Sequence, residues 1–245
     1  MQAPIILVIG AGPNIGAAIA KKFSENGYRV ALAARSLSAG LQPNGTLHVK
    51  ADLSSPKSVP QIFLSVRENL GIPNIVVYNG AHRLTTPEDD PFSASLETLI
   101  ESRNVGLDSA YVAAQEALKG FKELPDSVPT AFIYTGNALN QIAIPGVLPF
   151  ALPKVSAAMV IEYGANAYGH KGYRFYYADQ READCLPASL ARDGEAHANM
   201  YWELGQEEKQ SKWLVTFTKE KGREEFLGVD FEGNTRASYD EEFGR

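Results

Sequence analysis

Residues 8–16 read Val8-Ile9-Gly10-Ala11-Gly12-Pro13-Asn14-Ile15-Gly16 and hold three closely spaced glycines. This stretch follows an apolar run, Ile5–Ile9, and opens a segment, residues 17–26, whose apolar side chains recur at helical spacing. This pattern predicts a strand, a glycine turn and a helix. A second strand pattern, Arg29–Ala34, follows at the interval that a βαβ unit requires, so we expect two parallel strands joined by the helix.

The three glycines of this turn, Gly10, Gly12 and Gly16, indicate a dinucleotide site. A pyrophosphate must approach the backbone closely and lie on the free N–H groups of a helix N-terminus, while helix and strand pack tightly. The spacing is G-x-G-x-x-x-G, one residue longer than the common fingerprint. An ordinary tight turn between a strand and a helix has the same glycines, so that alternative stays open.

The length and charge of the chain restrict its class. At 245 residues, with 44% hydrophobic and 21% charged side chains, it suits one large globular domain. We expect residues 1–219 to form this domain and residues 220–245, which are polar and acidic, to form a loosely held tail. The net charge of −6 and the scattered basic residues argue against a nucleic-acid partner.

Three further features favour a cytoplasmic protein. The single cysteine, Cys185, has no partner for an intramolecular disulfide. The N-terminus enters a strand almost at once and lacks the pattern of a signal peptide. Apolar runs fall short of the roughly 18 residues that a membrane span needs, so we expect no membrane partner.

Strand and helix patterns alternate along the chain. They predict a single-domain α/β fold, a Rossmann-type doubly wound parallel sheet of about seven strands with helices on both faces. The predicted strands are 5–9, 29–34, 46–51, 75–78, 131–135, 173–177 and 213–217, and the predicted helices are 15–26, 58–70, 94–121 and 151–170. Two loop-like stretches, 145–153 and 183–199, are expected to border a site.

Arg35 and Ser36 follow the second predicted strand, where a dinucleotide domain meets the adenosine ribose. An acidic residue there accepts hydrogen bonds from a free 2′-hydroxyl, whereas an arginine accommodates a 2′-phosphate. Arg35 therefore indicates NADP(H). The alternative is a solvated surface arginine.

Six features in order resemble the short-chain dehydrogenase/reductases over residues 3–217. They are the glycine turn, Ala34-Arg35-Ser36, Asp52-Leu53, Asn79-Gly80-Ala81, Asn104 within a long helix, and Lys154. The resemblance implies an oxidoreductase with seven parallel strands. It also implies a homodimer or homotetramer built from the helices at 94–121 and 151–170. The alternative is that both helices simply pack on the sheet, which would leave one face of each polar.

The resemblance also implies roles for individual residues. Gly10, Gly12, Asn14, Ile15 and Gly16 would wrap the pyrophosphate, Asp52 and Leu53 would lie beside the adenine, and Asn79, Gly80 and Ala81 would lie along the cofactor ribose. Asn104 would hold a water that relays protons to Lys154, which would bind the nicotinamide ribose and lower the pKa of a neighbouring acid. The alternatives are strand-end turn residues for Asp52 and Asn79, and a helix-kink residue that bonds nearby carbonyls for Asn104.

Two active-site positions depart from the family pattern. The family's acid is a tyrosine four residues before the lysine, and Phe150 stands there, with no proton to give. The companion serine lies about thirteen residues earlier, and Asn137 stands there, able to donate an N–H to a developing oxyanion. Because Pro149 and Pro153 flank this position, we expect the helix to begin near Leu152 and Phe150 to lie in a loop.

Several side chains are candidates for the missing acid. Tyr177 is the predicted substitute, with Tyr176 beside it on the same strand and His82 after Asn79-Gly80-Ala81 as further candidates. Tyr134 and Tyr163 are expected to lie in the core. A half-buried aromatic is the alternative for each tyrosine, and a solvated loop histidine is the alternative for His82. The four histidines are scattered without ligand spacing, so we expect no metal site.

The sequence thus predicts an NADP(H)-dependent oxidoreductase. Its reaction would be reduction of a carbonyl, imine or enone group of a small-molecule substrate with a non-standard proton donor. Phe150 and Asn137 favour an alternative of another class, a non-redox NADP(H)-binding protein on the same fold, such as a pseudoenzyme, a cyclase or an isomerase.

Overall fold

A nine-stranded sheet lies at the centre of the computed structural model, which describes residues 3–188 and 192–226. The strands are β1 Ile5–Ile9, β2 Arg29–Ala34, β3 Gly40–Leu41, β4 Leu47–Lys50, β5 Ile75–Tyr78, β6 Thr130–Thr135, β7 Tyr173–Gln180, β8 Leu214–Thr218 and β9 Gly222–Arg223. The helices are α1 Ile15–Glu25, α2 Val59–Asn69, α3 Leu96–Arg103, α4 Ser109–Phe121, α5 Leu148–Tyr168 and α6 Gly194–Gln206. Four short turns complete them: 3₁₀ turns at Pro56–Ser58, Ala138–Asn140 and Gly169–Lys171, and a π-turn at Asn104–Asp108.

The strand order is β3-β4-β2-β1-β5-β6-β7-β8-β9. The strands from β4 to β8 in this order are parallel, which confirms the predicted seven. The two-residue strands β3 and β9 add antiparallel edges that the sequence did not predict. Strand β9 pairs with β8, so the chain is still part of the sheet at residues 222–223 and the tail does not begin at Glu220 as predicted. The part of the predicted tail at 227–245 lies outside the described residues.

Side chains on both faces of the sheet are buried. In β1, Leu7 and Ile9 pack with apolar residues of α2, α4 and α5, whereas Ile6 and Val8 pack with those of α1 and α6. Strands buried on both faces are typical of a parallel sheet covered by helices. The doubly wound α/β fold is therefore confirmed.

The order of the strands reverses at β1, which pairs with β2 on one side and with β5 on the other. In open α/β sheets, ligands bind in the crevice at such a switch point, beyond the carboxyl ends of the strands. The glycine turn leaves β1 at this point.

Helix α5 begins at Leu148, and Phe150 lies in its first turn, so the prediction of a loop at Phe150 was wrong. Proline at position 153 removes the N–H that would bond the carbonyl of Pro149. The hydroxyl of Ser102, on α3, donates to that carbonyl at 2.6 Å instead. A tertiary contact therefore lets the helix continue through Pro153.

Helix α6 was also missed, because residues 183–199 read as a loop. Asp193 starts the helix by accepting a hydrogen bond from the Ala196 N–H at 2.9 Å. Its buried residues include His197, Met200, Tyr201 and Leu204, which share one face. None of the helices in the described ranges has both the length and the apolar character needed to cross a membrane.

Candidate active site

The glycine turn uses its glycines in two ways. Gly10 has a φ of +85°, and a Cβ there would lie 2.4 Å from the Gly80 nitrogen, while a Cβ at Gly16 would lie 2.8 Å from the Ala11 Cα. These two glycines therefore permit close packing within the fold. A Cβ at Gly12 would meet nothing within 4 Å. Gly12 instead borders an open groove.

This groove, which we call the cofactor groove, has a volume of about 280 Å³ and lies beyond the ends of β1, β2, β4 and β5. It brings together most of the residues that the sequence predicted for a cofactor: Gly10, Gly12, Arg35, Ser36, Asp52, Leu53, Asn79, Gly80 and Ala81. The sequence did not predict Ser54, Glu101 and Val105, which also line it.

Two of the predicted cofactor residues lie outside both cavities. The Asn14 amide nitrogen donates to the Arg192 carbonyl at 3.0 Å, and Gly16 packs against Ala11. Ile15 lines the neighbouring cavity described below. Asn14 and Gly16 thus position the turn and α1.

The chemistry of the groove fits a dinucleotide. No side chain caps the N-terminus of α1, and its first turn holds no acidic residue, so its N–H groups suit an anion. The open side of Gly12 leaves room for a group to approach the backbone. Arg35 lines the far end of the groove and has no salt bridge to a carboxylate of the described residues.

Asp52 and Asn79 satisfy backbone groups while they line the groove. The Asp52 carboxylate accepts from the Ser54 N–H at 3.0 Å, and this bond, with the charge of Arg35, lowers the pKa of Asp52. The Asn79 amide donates to the Gly10 carbonyl at 2.8 Å, which joins the ends of β5 and β1. Asp52 therefore has the turn-stabilising role that the alternative assigned to it, whereas Asn79 links two strand ends that are far apart in sequence.

A second cavity, which we call the reaction cavity, continues from the first. Its volume is about 230 Å³, and Asn79 and Ala81 line both cavities. Asn137, Phe150 and Lys154 line it together, so the structure brings the three predicted positions into one site. Residues of both predicted loop-like stretches line it too, namely Val147 and Phe150 on one side and Pro187, Ala188, Arg192 and His197 on the other.

Lys154 is a buried amine at the floor of the reaction cavity. Its Nζ donates to the Thr135 carbonyl at 2.8 Å and lies 4.6 Å from the centre of the Tyr134 ring. Burial lowers the pKa of Lys154 to about 7; the negative charge of Asp179 opposes this shift and the positive charge of Arg192 adds to it. The amine therefore exchanges its proton near neutral pH.

Phe150 lies one helical turn before Lys154, with the centre of its ring 5.7 Å from Nζ. It packs with Leu139 and Val147 in a small apolar cluster against the cavity. At the position where the family pattern has an acid, this chain therefore has an apolar ring that lies beside the lysine.

Asn137 presents one end of its amide to a ligand. Its Oδ1 accepts from the Leu139 N–H at 3.1 Å, which identifies that atom as the oxygen. The Nδ2 group makes no hydrogen bond to the described residues, so its two N–H groups remain for an oxygen in the cavity.

Tyr177 is a structural residue behind the site rather than the predicted acid. Its hydroxyl donates to the Asn137 carbonyl at 3.0 Å and accepts from the Asn137 N–H at 3.2 Å. The side chain is fully buried, does not line the cavity, and burial raises its pKa well above the ordinary value. It fixes the backbone that carries the Asn137 amide.

The other tyrosines and His82, which were considered for the role of the acid, do not line the reaction cavity. Tyr176 lies on the opposite face of the sheet, where its hydroxyl donates to Glu207 at 2.6 Å. His82 lies 3.1 Å from Glu101 and lines the cofactor groove. Tyr134 is in the core as predicted, but Tyr163 is 71% exposed, so its predicted burial was wrong.

Asn104 lies in the π-turn that separates α3 from α4. Its amide donates to the Ser54 carbonyl at 3.0 Å, and it lines neither cavity. The hydroxyls of Tyr78 and Tyr134 donate to the carbonyls of Val105 and Gly106 in the same turn. Asn104 is thus a kink residue that bonds a nearby carbonyl, and the water relay to Lys154 stays a prediction.

Sequence reasoning missed His197, which lines the reaction cavity from α6. Its Nδ1 lies 2.7 Å from the Asp193 carbonyl, so this nitrogen carries the proton and donates it. Burial lowers the pKa of His197 to about 4 and keeps the ring neutral at neutral pH. Asp193, an N-cap residue four positions earlier, was the signal that could have revealed this helix and its histidine.

Within the described parts of the chain, no group of three or more His, Cys, Asp or Glu side chains is placed to hold a metal ion. The reaction cavity is lined instead by three amides, an amine, two arginines and a neutral histidine.

Lys154 is expected to give the fold a characteristic pH dependence. Its pKa in the folded state is about 7 against an ordinary 10.5, so between these values the unfolded chain binds a proton that the folded chain does not. Stability therefore rises with pH in this window, by about 2 kcal/mol from about pH 7 to about pH 9. Urea unfolding at several pH values measures the rise. Lys154→Met should remove it, and equal slopes in both proteins would contradict the buried, easily deprotonated amine.

Comparisons with known proteins identify the family and the fold. The family model described as Enoyl-(Acyl carrier protein) reductase matches residues 10–178. A relative from Cryptosporiopsis sp. (strain 8999), named short chain dehydrogenase/reductase dmxR12, is 39% identical over 234 residues, which cover 91% of this chain and 94% of the relative. The mouse 15-hydroxyprostaglandin dehydrogenase (NAD(+)) is 26% identical over 164 residues, which cover 63% of this chain and 55% of that protein.

Solved structures share the fold. A short-chain dehydrogenase/reductase from Serratia marcescens superposes with a TM-score of 0.71 at 20% identity, covering 89% of this chain and 96% of the other. A blue fluorescent protein from a metagenomic library, solved in complex with NADPH, gives a TM-score of 0.72 at 19% identity, covering 90% and 98%.

Proposed function

The chain belongs to the short-chain dehydrogenase/reductase family, and we propose that it is an NADP(H)-dependent oxidoreductase that reduces a carbonyl, imine or enone group of a small molecule. One observation supports this most: Lys154 and Asn137 line a cavity that continues into the glycine-lined groove. A fold that kept the groove for packing alone has no need of a buried amine and an unpaired amide at its end.

Different residues of the reaction cavity would have different roles in a reduction. When bound, a reduced nicotinamide supplies a hydride to the electrophilic carbon. The N–H groups of Asn137 stabilise the charge that develops on the substrate oxygen. Ile144, Val147 and Phe150 exclude water from that side, which strengthens the hydrogen bonds from Asn137.

Arg35 supports NADP(H) over NAD(H) because it lines the groove where the adenosine ribose is expected. The name of the mouse relative specifies NAD(+), and the metagenomic protein was solved with NADPH, so relatives of this fold use either cofactor. The preference in this chain is proposed from Arg35 alone.

Arg35→Asp is expected to reverse the preference. It removes a charge-assisted contact worth about 1.5–3 kcal/mol and should weaken NADPH binding roughly 10- to 100-fold, with NADH affected less. Calorimetric titration of both cofactors measures this change. Lys57→Asp, an exposed position that lines neither cavity, is the charge-matched control. Equal affinities for NADPH and NADH in the parent protein would contradict the role of Arg35.

Helix α5 also supports the proposal of a homodimer or homotetramer. Leu152, Val155, Met159 and Tyr163 are exposed at helical spacing on it, and Tyr111 is exposed on α4. Apolar side chains grouped in this way mark an interaction surface. A second copy of the chain that packs α4 and α5 would cover them.

Met159→Glu is expected to shift the protein to smaller species, because it places a charge in the proposed interface. Sedimentation velocity measures the change at several concentrations. Gln61→Glu, which adds the same charge on the exposed face of α2, is the matched control and should leave the assembly intact. A monomeric parent protein would refute the oligomer.

A second candidate function is a non-redox NADP(H)-binding protein. The observation that favours it is Phe150, which occupies the first turn of α5 beside Lys154, where the family pattern has an acid. In that case Lys154 and Asn137 would only bind the cofactor. The cytoplasmic location stays a prediction of the sequence under either function.

The two functions are separated by binding and turnover measured together. NADPH and NADH are titrated into the purified protein, and oxidation of bound NADPH is then followed with a panel of aldehydes, ketones, imines and enones. The reductase predicts tight NADPH binding and oxidation by at least one class. Tight binding without oxidation by any class supports the non-redox protein.

A further inference from the structure

The reaction cavity contains one group that can release a proton in place of the absent tyrosine. We propose that the ammonium group of Lys154 itself donates the proton to the substrate oxygen, and is not limited to holding the cofactor ribose. This inference rests on the proposed reductase function and names the donor that the function leaves open.

The remaining polar groups of the cavity do not suit the role. The side-chain amides and guanidinium groups of the cavity do not release protons at neutral pH; they belong to Asn79, Asn137, Gln180, Arg83 and Arg192. His197 is neutral and already donates its one N–H to the Asp193 carbonyl.

Thr135 is a weaker candidate than the lysine. Its hydroxyl lines the cavity and accepts from the Tyr201 hydroxyl at 2.9 Å. An alcohol gives up its proton only to a strong base, and burial raises the pKa of Tyr201 behind it. This pair can orient a substrate, but it holds no readily released proton.

The groups that face Lys154 come from every element packed against it. They are the Tyr134 ring on β6, Phe150 on its own helix, Asp179 on β7, and Arg192 and His197 at the start of α6. Asp179 is fully buried; Arg181 contacts one of its carboxylate oxygens at 2.5 Å, and the other has no hydrogen bond to the described residues. Its charge favours the protonated lysine.

Burial has the opposite effect and brings the pKa of Lys154 to about 7. An acid is most effective when its pKa lies near the working pH, because it is then both protonated and ready to give up the proton. An amine in water, with an ordinary pKa above 10, is a poorer donor.

In the proposed reduction, each bond that forms is matched by one that breaks. The carbonyl carbon receives a hydride, with its two electrons, from the reduced nicotinamide, and the C=O π bond breaks. The oxygen takes a proton from the Lys154 ammonium, so an O–H bond forms as an N–H bond breaks. The products are an alcohol, the oxidised nicotinamide and a neutral amine, which regains its proton from water at the cavity mouth.

The first experiment uses Lys154→Arg, which keeps a positive charge but cannot give up a proton at neutral pH. At NADPH concentrations that saturate the variant, kcat for the best carbonyl substrate should fall roughly 10²-fold. Methylammonium added to Lys154→Ala should restore turnover, in proportion to its concentration. In the parent protein, kcat should fall as the pH rises through about 7.

A second measurement needs neither a variant nor turnover. NMR of ¹⁵N-lysine-labelled protein with bound NADP⁺ follows the titration of the Lys154 amine, assigned through its contacts with the Tyr134 ring, whose centre lies 4.6 Å from Nζ. Titration near neutrality supports the proposal, and titration above pH 9 overturns it even if the variants do not fold.

The outcomes separate this inference from the proposed function. If the parent protein oxidises NADPH with a carbonyl but Lys154→Arg keeps its kcat, or methylammonium restores nothing, the reductase stands and the lysine donor is refuted. If no carbonyl, imine or enone oxidises bound NADPH in the parent protein, the function and the donor fail together.

Discussion

Phe150→Tyr is expected to raise kcat for carbonyl reduction roughly 10²-fold, the lower end for general acid catalysis, because the Lys154 ammonium already donates a proton in the parent protein. The ring of Phe150 lies one turn before Lys154 with its centre 5.7 Å from Nζ, so a hydroxyl added to this ring reaches the cavity beside a positive charge. That charge stabilises a phenolate and makes the phenol a better acid. The fold should tolerate the change, because Phe150 borders the cavity and a hydroxyl can point into it. Steady-state rates with the best substrate of the panel measure the gain.

Two control variants test whether the gain comes from a hydroxyl at position 150. Phe150→Leu removes the ring without adding a hydroxyl and should not raise the rate. Phe92→Tyr adds a hydroxyl to an exposed ring that lines neither cavity and should change nothing. A rate for Phe150→Tyr no higher than that of the parent protein would show that Phe150 does not occupy the position of an acid.

Gly10→Ala is expected to cost about 4 kcal/mol of unfolding free energy, an unusually large effect for a methyl group. The new Cβ would lie 2.4 Å from the Gly80 nitrogen and would also force a side chain into a positive φ. Gly27→Ala separates these two causes, because Gly27 has a φ of +83° and open space around it. It should cost only about 1 kcal/mol. Urea unfolding measures both, and equal losses would contradict the close approach of β1 and β5.

Gly12→Ala tests the groove rather than the fold. A Cβ at Gly12 meets nothing within 4 Å, so stability should change by less than about 0.5 kcal/mol. NADPH affinity should fall roughly 10- to 100-fold, because the methyl group occupies space that the pyrophosphate needs and breaks hydrogen bonds to the backbone. An unchanged affinity in a stable protein would mean that the glycine turn serves packing alone.

The sheet was predictable because local patterns determine it. The predicted strands agree with the structure to within a few residues, since apolar runs such as Ile5–Ile9 must be buried on both faces of a parallel sheet. The cofactor groove was predictable for a related reason. Its residues follow the carboxyl ends of strands, where the topology collects them.

The details of the reaction cavity depend on tertiary contacts that local patterns do not contain. Pro149 and Pro153 suggested a late start for α5, yet the Ser102 hydroxyl, 47 residues away in sequence, satisfies the carbonyl that Pro153 leaves free. Tyr177 was a reasonable candidate acid until the sheet register placed its ring beside Tyr134 in the core.

His197 could not be predicted as a site residue for a different reason. Its own residue type gave no signal, because only the helix that starts at Asp193 brings it to the cavity. The pKa of Lys154 could not be inferred from sequence either, since it depends on burial and on the charges of Asp179 and Arg192.

The most direct test of the central claim is transfer of deuterium from the cofactor. The protein is loaded with NADPH in which both hydrogens at C4 of the nicotinamide are deuterium, mixed with each carbonyl, imine and enone of the panel, and the products are analysed by mass spectrometry after a single turnover. A reductase gives a product with one deuterium on the carbon that received the hydride. If NADPH binds tightly and no product from any class contains deuterium, the protein is not a reductase and the non-redox function takes its place.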